Sequence, residues 1–254
     1  MNLTGLTTCC TNNLNAVFIS LLATLSLVAV HPAFAADETQ TNIGLHWGWE
    51  NHYVTEGRNN LEKGGIAWAA ASVERNNMVF FAVVGRADQV HYTEWNAGLE
   101  YTLALRDDIE ATLGYQRLEF YGAERASDNE FFSSMTYRGI DWLVPAVNYT
   151  YATEASGYFV TFSAHSPWEI NSQLTLSPYV QQGFDFGYSS DTHNGANHVQ
   201  FGLETQYQYR DNLGILAHIS HSIALDDIKQ QAAVNNQQGS LNETYAGVSL
   251  AWDF

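Results

Sequence analysis

The sequence predicts an all-β chain, a single antiparallel barrel of about twelve strands. Three observations predict it. Apolar and polar residues alternate with period two through most of the chain. The alternating segments are joined by short polar turns and by longer polar loops. The composition is rich in aromatics and poor in charge: 254 residues include 14 Tyr, 13 Phe and 7 Trp, while charged residues make up only 15%, against ~25% in soluble domains. The formal charge is −17, from 27 acidic and 10 basic side chains, which argues against a nucleic-acid partner.

The chain opens with an export signal. Residues 16–30 read AVFISLLATLSLVAV, followed by His31, Pro32 and Ala33-Phe34-Ala35. An apolar stretch of this length before an A-x-A site predicts a signal peptide over residues 1–35 and a mature chain over 36–254. The stretch is short for a membrane-spanning helix. The segment before it has no Lys or Arg, and an uncleaved anchor is the alternative. Cys9 and Cys10 precede the apolar run, so the mature chain has no cysteine. That leaves no disulfide, thiolate metal site, cysteine nucleophile or lipidated cysteine.

Strands are expected over 42–54, 65–74, 78–87, 93–105, 109–121, 130–138, 143–152, 157–166, 172–187, 198–209, 213–226 and 243–254. The alternation is clearest at the end. There Ala246, Val248, Leu250, Trp252 and Phe254 share one face, and Tyr245, Gly247, Ser249, Ala251 and Asp253 the other. Val199, Phe201, Leu203, Thr205 and Tyr207 alternate in the same way with Gln200, Gly202, Glu204, Gln206 and Gln208. Strand side chains point to opposite faces in turn, so each segment is a ribbon with one oily and one wet face. No mature segment has a convincing helical period. A turn near Gly139-Ile140-Asp141-Trp142 keeps the strand number even, and Pro145 and Pro178 predict local bulges or breaks. Short turns begin at Arg75, Arg106 and Arg210. Longer loops are expected over 55–64, 122–129, 188–197 and 227–242. Short turns at one end and long loops at the other are the pattern of a transmembrane barrel.

An exported soluble barrel would alternate too. Lipid outside is favoured by aromatics near strand ends (Trp47, Trp49, Tyr53, Tyr207, Tyr209), where interfacial girdles sit. It is also favoured by charges held to the wet face or to loops. The closing strand, with Leu250, Trp252 and Phe254 alternating to the last residue, resembles the C-terminal assembly signal of Gram-negative outer-membrane barrel proteins. That resemblance implies an outer-membrane location, with membrane lipid and the barrel-assembly machinery as partners. Tyr53-Val54-Thr55-Glu56-Gly57-Arg58, then Pro145 to Tyr151, Gly157-Tyr158-Phe159 and Ala164-His165-Ser166, resembles the run of blocks in porins of the TorF type. It implies a small outer-membrane barrel and names no substrate.

No catalytic residue, cofactor or metal is expected, and the chain is read as a channel or structural barrel, not an enzyme. His218-Ile219-Ser220 is similar to the His-x-Ser pair of outer-membrane phospholipases, but His221-Ser222 follows where they have Asn-Gly. Two polar wall residues are the plainer reading. Asp191, His193 and His198 are spaced too loosely for a metal set. Glu50, Glu100, Glu110, Asp185, Gln200, Glu204 and Gln206 fall on wet faces and are expected to line the lumen. Arg106 and Arg210 are the bases expected on that face, near its mouth. The leading function is passive diffusion of small solutes with weak cation preference. The alternatives are a non-conducting barrel with a structural, adhesion or partner-binding role, and an exported soluble ligand-binding barrel.

Overall fold

The computed structural model describes residues 41–191 and 193–254. The expected signal peptide over residues 1–35 lies outside the described residues. Among those residues, twelve long strands close into one antiparallel barrel. They are β1 (Asn42–Glu50), β2 (Ile66–Arg75), β3 (Met78–Ala87), β4 (Thr93–Arg106), β5 (Ile109–Tyr121), β6 (Arg125–Tyr137), β7 (Val144–Ala152), β8 (Gly157–His165), β9 (Leu174–Phe186), β10 (Asn194–Arg210), β11 (Leu213–Ala224) and β12 (Glu243–Asp253). Each pairs with its sequence neighbours, and β12 returns to pair with β1. At that seam the terminal Phe254 exchanges backbone hydrogen bonds with Ile43, at 3.2 and 2.9 Å. Closure leaves no free strand edge.

The oily face points outward. Leu45, Trp47, Phe80, Leu99, Leu113, Phe131, Phe162, Phe201, Ile219, Val248 and Leu250 are all exposed. Their inward neighbours are Gly, Ser, Thr, Gln, Glu or His on most strands. Exposed aromatics stand near both rims: Trp49, Trp95 and Tyr158 toward the long loops, Trp142, Trp168, Tyr209 and Trp252 toward the short turns. This is the exterior of a transmembrane barrel. Among the described residues no helix is long and apolar enough to cross a membrane; the strands do the crossing.

Several local expectations are corrected. Neither proline makes a bulge. The β6–β7 ladder ends at Thr136 and Ala146, so Pro145 lies just beyond it, and Pro178 lies beyond the end of the β8–β9 ladder while keeping register with Leu203. A ladder breaks beside each proline instead, as expected: at Pro178 it stops where Ser166 N–H donates to Pro178 O at 2.9 Å and the return bond would need the N–H that proline lacks. The register irregularities sit elsewhere, at Gly183/Phe184, Ala104/Arg106 and Gln208/Arg210. The last two set Arg106 opposite Ile109 and Arg210 opposite Leu213, which belong to the outward set. Both arginines are therefore exposed at the rim and not on the wet face. β6 begins at Arg125 and β10 at Asn194, so the expected loops over 122–129 and 188–197 are shorter. Strand β1 ends at Glu50, and Tyr53 turns into the barrel instead of joining a girdle. Finally, the last loop contains a helix, α1 (Asp226–Val234), which buries Asp227, Ile228 and Ala232. Ile228 and Ala232 are one helical turn apart and share a face.

Candidate functional site in the barrel lumen

Strand register sets the inner face. Glu50 on β1, Glu100 on β4, Glu110 on β5, Asp185 on β9, and Gln200, Glu204 and Gln206 on β10 all take inward positions. Their surroundings differ. Glu204 faces His165 at 3.7 Å, Glu50 faces His218 at 3.5 Å, and Glu110 faces Arg138 at 3.7 Å. Gln200 donates to Tyr179 Oη at 2.7 Å and accepts from the Tyr245 hydroxyl at 3.1 Å. Asp185 is fully buried and accepts from the backbone N–H groups of Tyr188 (2.8 Å) and Ser189 (3.0 Å). It shapes the turn that follows β9. Among the described residues, no Lys or Arg of the twelve barrel strands takes an inward position; each points outward or stands at a strand end.

The first loop supplies what the sequence reading missed. The first loop folds into the barrel, leaving Glu62 and Lys63 exposed, and Val54–Thr55 pairs with Arg58–Asn59 as a small hairpin. Its two turn residues, Glu56 and Gly57, have φ of 44° and 76°. Positive φ at both central positions is the turn that suits a two-residue hairpin, and glycine adopts it without penalty. Residues 53–57 are all buried. On one side the Tyr53 hydroxyl donates to Glu94 Oε2 of β4 at 2.9 Å, and its ring meets Trp68 edge-on at 5.3 Å between centroids. Leu61, Ile66, Val83, Ala87, Tyr92, Leu118 and Phe120 complete this apolar cluster. On the other side Gly57 lies against His198 of β10: a Cβ there would stand 2.6 Å from the imidazole. Ser222 Oγ of β11 reaches Gly57 O at 3.4 Å. Strands β4 and β10 stand opposite each other in a twelve-strand ring, so the hairpin crosses the lumen.

Beneath it lies a buried polar network. The hydroxyls of Tyr53 and Tyr92 both donate to Glu94, and those of Tyr188 and the Gln116 amide to Glu130. Burial, and then the neighbouring carboxylate, pushes the hydroxyls of the loop residues Tyr53, Tyr92 and Tyr188 far above their ordinary range. They therefore remain protonated and donate to the buried side-chain oxygens of Glu94 and Glu130.

The hairpin is anchored to the last loop. Arg58 Nη2 meets Asp227 Oδ2 of α1 at 2.7 Å, and Asn197 Nδ2 donates to the same oxygen at 2.8 Å. Asp227 is fully buried, and the Arg58 side chain is 15% exposed.

The weaker candidates resolve into wall contacts. His218 Nδ1 lies 3.4 Å from Ser220 Oγ, but that hydroxyl is buried and bonded to Tyr179 Oη at 2.7 Å. Asp191 is exposed, His193 lies 3.8 Å from Asp227, and His198 Nδ1 faces Asn197 Oδ1 at 2.7 Å. These three are not assembled, and among the described residues no three His, Cys, Asp or Glu side chains form a metal-sized group. On the outer face Leu250, Trp252 and Phe254 are exposed, with the last two rings stacked at 4.8 Å.

No family model and no curated protein matches the chain. Solved structures do. The KdgM porin superposes with a TM-score of 0.56 at 10% identity, covering 84% of this chain and 99% of that one. The KdgM porin in complex with disordered oligogalacturonate gives 0.54 at 10% identity, again over 84% and 99%. The NanC porin gives 0.51 at 10% identity, over 83% and 98%. The shared property is the fold. This chain has a porin-like barrel architecture. Its apolar belt and rim aromatics are those of a transmembrane barrel.

Proposed function

We propose that the barrel is a small porin-like channel for passive diffusion of small solutes, weakly preferring cations. The observation that carries this reading is the charge of the inner face: Glu50, Glu100, Glu110 and Glu204 point inward, and among the described residues no Lys or Arg of the twelve barrel strands does so, the bases that meet this face being Arg58 of the hairpin, paired with Asp227, and Arg138, paired with Glu110. An acidic lining concentrates cations, and low-dielectric walls focus the field. One of the structural neighbours is a KdgM porin in complex with oligogalacturonate, a polyanion. An acidic wall repels such a solute, so neutral or cationic small molecules suit this lumen better. Glu50, Glu100, Glu110, Asp185, Gln200, Glu204 and Gln206 are proposed as the lining. Leu250, Trp252 and Phe254 are proposed as the face recognised by the assembly machinery.

The test is the reversal potential across a KCl gradient in a planar bilayer. It should have the sign of cation preference. The double variant Glu100→Gln/Glu204→Gln should move it toward zero. Raising salt should mute it, because the Debye length falls from ~10 Å at 0.1 M to ~3 Å at 1 M. Anion preference in the unmodified protein overturns the charge argument. The hairpin across the lumen favours a second reading, a closed barrel with a structural or binding role, which an absence of conductance would support. A soluble ligand-binding barrel has no such support, because the exterior is apolar.

A further inference from the structure

We infer that the first-loop hairpin is a releasable plug, held across the lumen by an Arg58–Asp227 latch between the first and last loops; as a gate it rests on the channel reading above. Three observations carry it. The hairpin touches opposite walls, Glu94 and Trp68 on one side and His198 and Ser222 on the other. Its two ends are held by different kinds of contact. The base is embedded in the apolar cluster around Trp68 and Phe120. The contacts of the tip are polar and include a 3.4 Å bond from Ser222, the apposed His198 ring, and the 2.7 Å ion pair from Arg58 to Asp227.

The ion pair itself is unusual for this lumen. Arg58 is a basic side chain carried into the lumen by the hairpin, away from the Arg138–Glu110 pair of the wall, and it also bonds Glu56 O at 3.3 Å, tying the turn to the latch. Its partner does not belong to the barrel wall. Asp227 sits in the first turn of α1, where a carboxylate is favoured by the helix dipole, and Asn197 of β10 orients it. Removing one member of a buried pair leaves the other charge buried and uncompensated, so substituting either one disfavours the latched state. The last loop thereby controls the first. Displacement of α1 from the barrel rim withdraws Asp227 and frees the tip, while the apolar base acts as hinge.

The test reads the hairpin separately from conduction. In a full-length Cys9→Ala/Cys10→Ala background, Val54→Cys provides a single thiol at a position only 2% exposed. Its modification by a membrane-impermeant maleimide is measured in outer-membrane vesicles with and without Asp227→Asn, and again with Arg58→Gln in case one variant assembles poorly. Unitary conductance is recorded on the same proteins. The latch predicts at least tenfold faster labelling in either variant, with a severalfold larger conductance. Faster labelling without any conductance keeps the plug and overturns the channel reading. Labelling unchanged within twofold in an assembled variant overturns the latch, whatever the conductance.

Discussion

An arginine at Leu99 tests which face of the barrel meets lipid. Leu99 is 38% exposed on the outer face, midway along β4 and paired with Phe80 and Tyr115. With a rise of ~3.4 Å per residue and a tilt of ~40°, each residue adds ~2.6 Å of height, so a ~25 Å apolar band takes about ten residues and Leu99 lies near its centre. Arginine at the midplane costs about 2–4 kcal/mol. The inward comparison is Gln206→Arg, which enters a polar interior and should cost less than ~1 kcal/mol. Gly98 does not serve, because a Cβ there would stand 2.3 Å from Tyr115 O and 2.7 Å from the Phe81 ring. Urea titration of the barrel in phospholipid vesicles, followed by tryptophan fluorescence, measures both losses. A larger loss for Gln206→Arg than for Leu99→Arg would refute the outward assignment of the oily face.

Deleting Trp252 to Phe254 removes a stacked aromatic pair and the terminal bonds to Ile43; its level in outer-membrane fractions should fall severalfold, and unchanged assembly would count against a role for that face. Trp68→Ala empties the centre of the apolar cluster and should cost about 3–5 kcal/mol by vesicle unfolding, with the hairpin loosened as well. Gly157→Ala sets a methyl group 2.1 Å from the Gly187 backbone, and the overpacking should cost about 1–3 kcal/mol in the same measurement.

The strands were legible because their signal is local. Period-two alternation needs only that one face meets lipid and the other meets water, so β3, β5 and β8 are found almost to the residue. The signal fails where a strand leaves the apolar band. At the start of β6, Ser127 and Asn129 face outward while Asp128 and Glu130 face inward, and a ribbon polar on both faces reads as loop. The start of β10, Asn194 to Asn197, fails in the same way. Helix α1 escapes notice because nine residues with two buried apolar side chains carry little period.

By itself the sequence determined the barrel, its count of strands and which residues share a face, since alternation is a property of consecutive residues. Leu99 and Glu100 take opposite faces wherever the chain closes. Only the tertiary structure decided what fills the interior. Glu56-Gly57 specifies a tight turn, but that the turn spans from Glu94 to His198 depends on closure bringing β4 and β10 to opposite walls. Arg58 and Asp227 lie 169 residues apart. Nothing local marks one as the partner of the other. Their contact exists because β12 pairs with β1, which brings the first and last loops to the same rim, and because a short helix turns one loop acid inward.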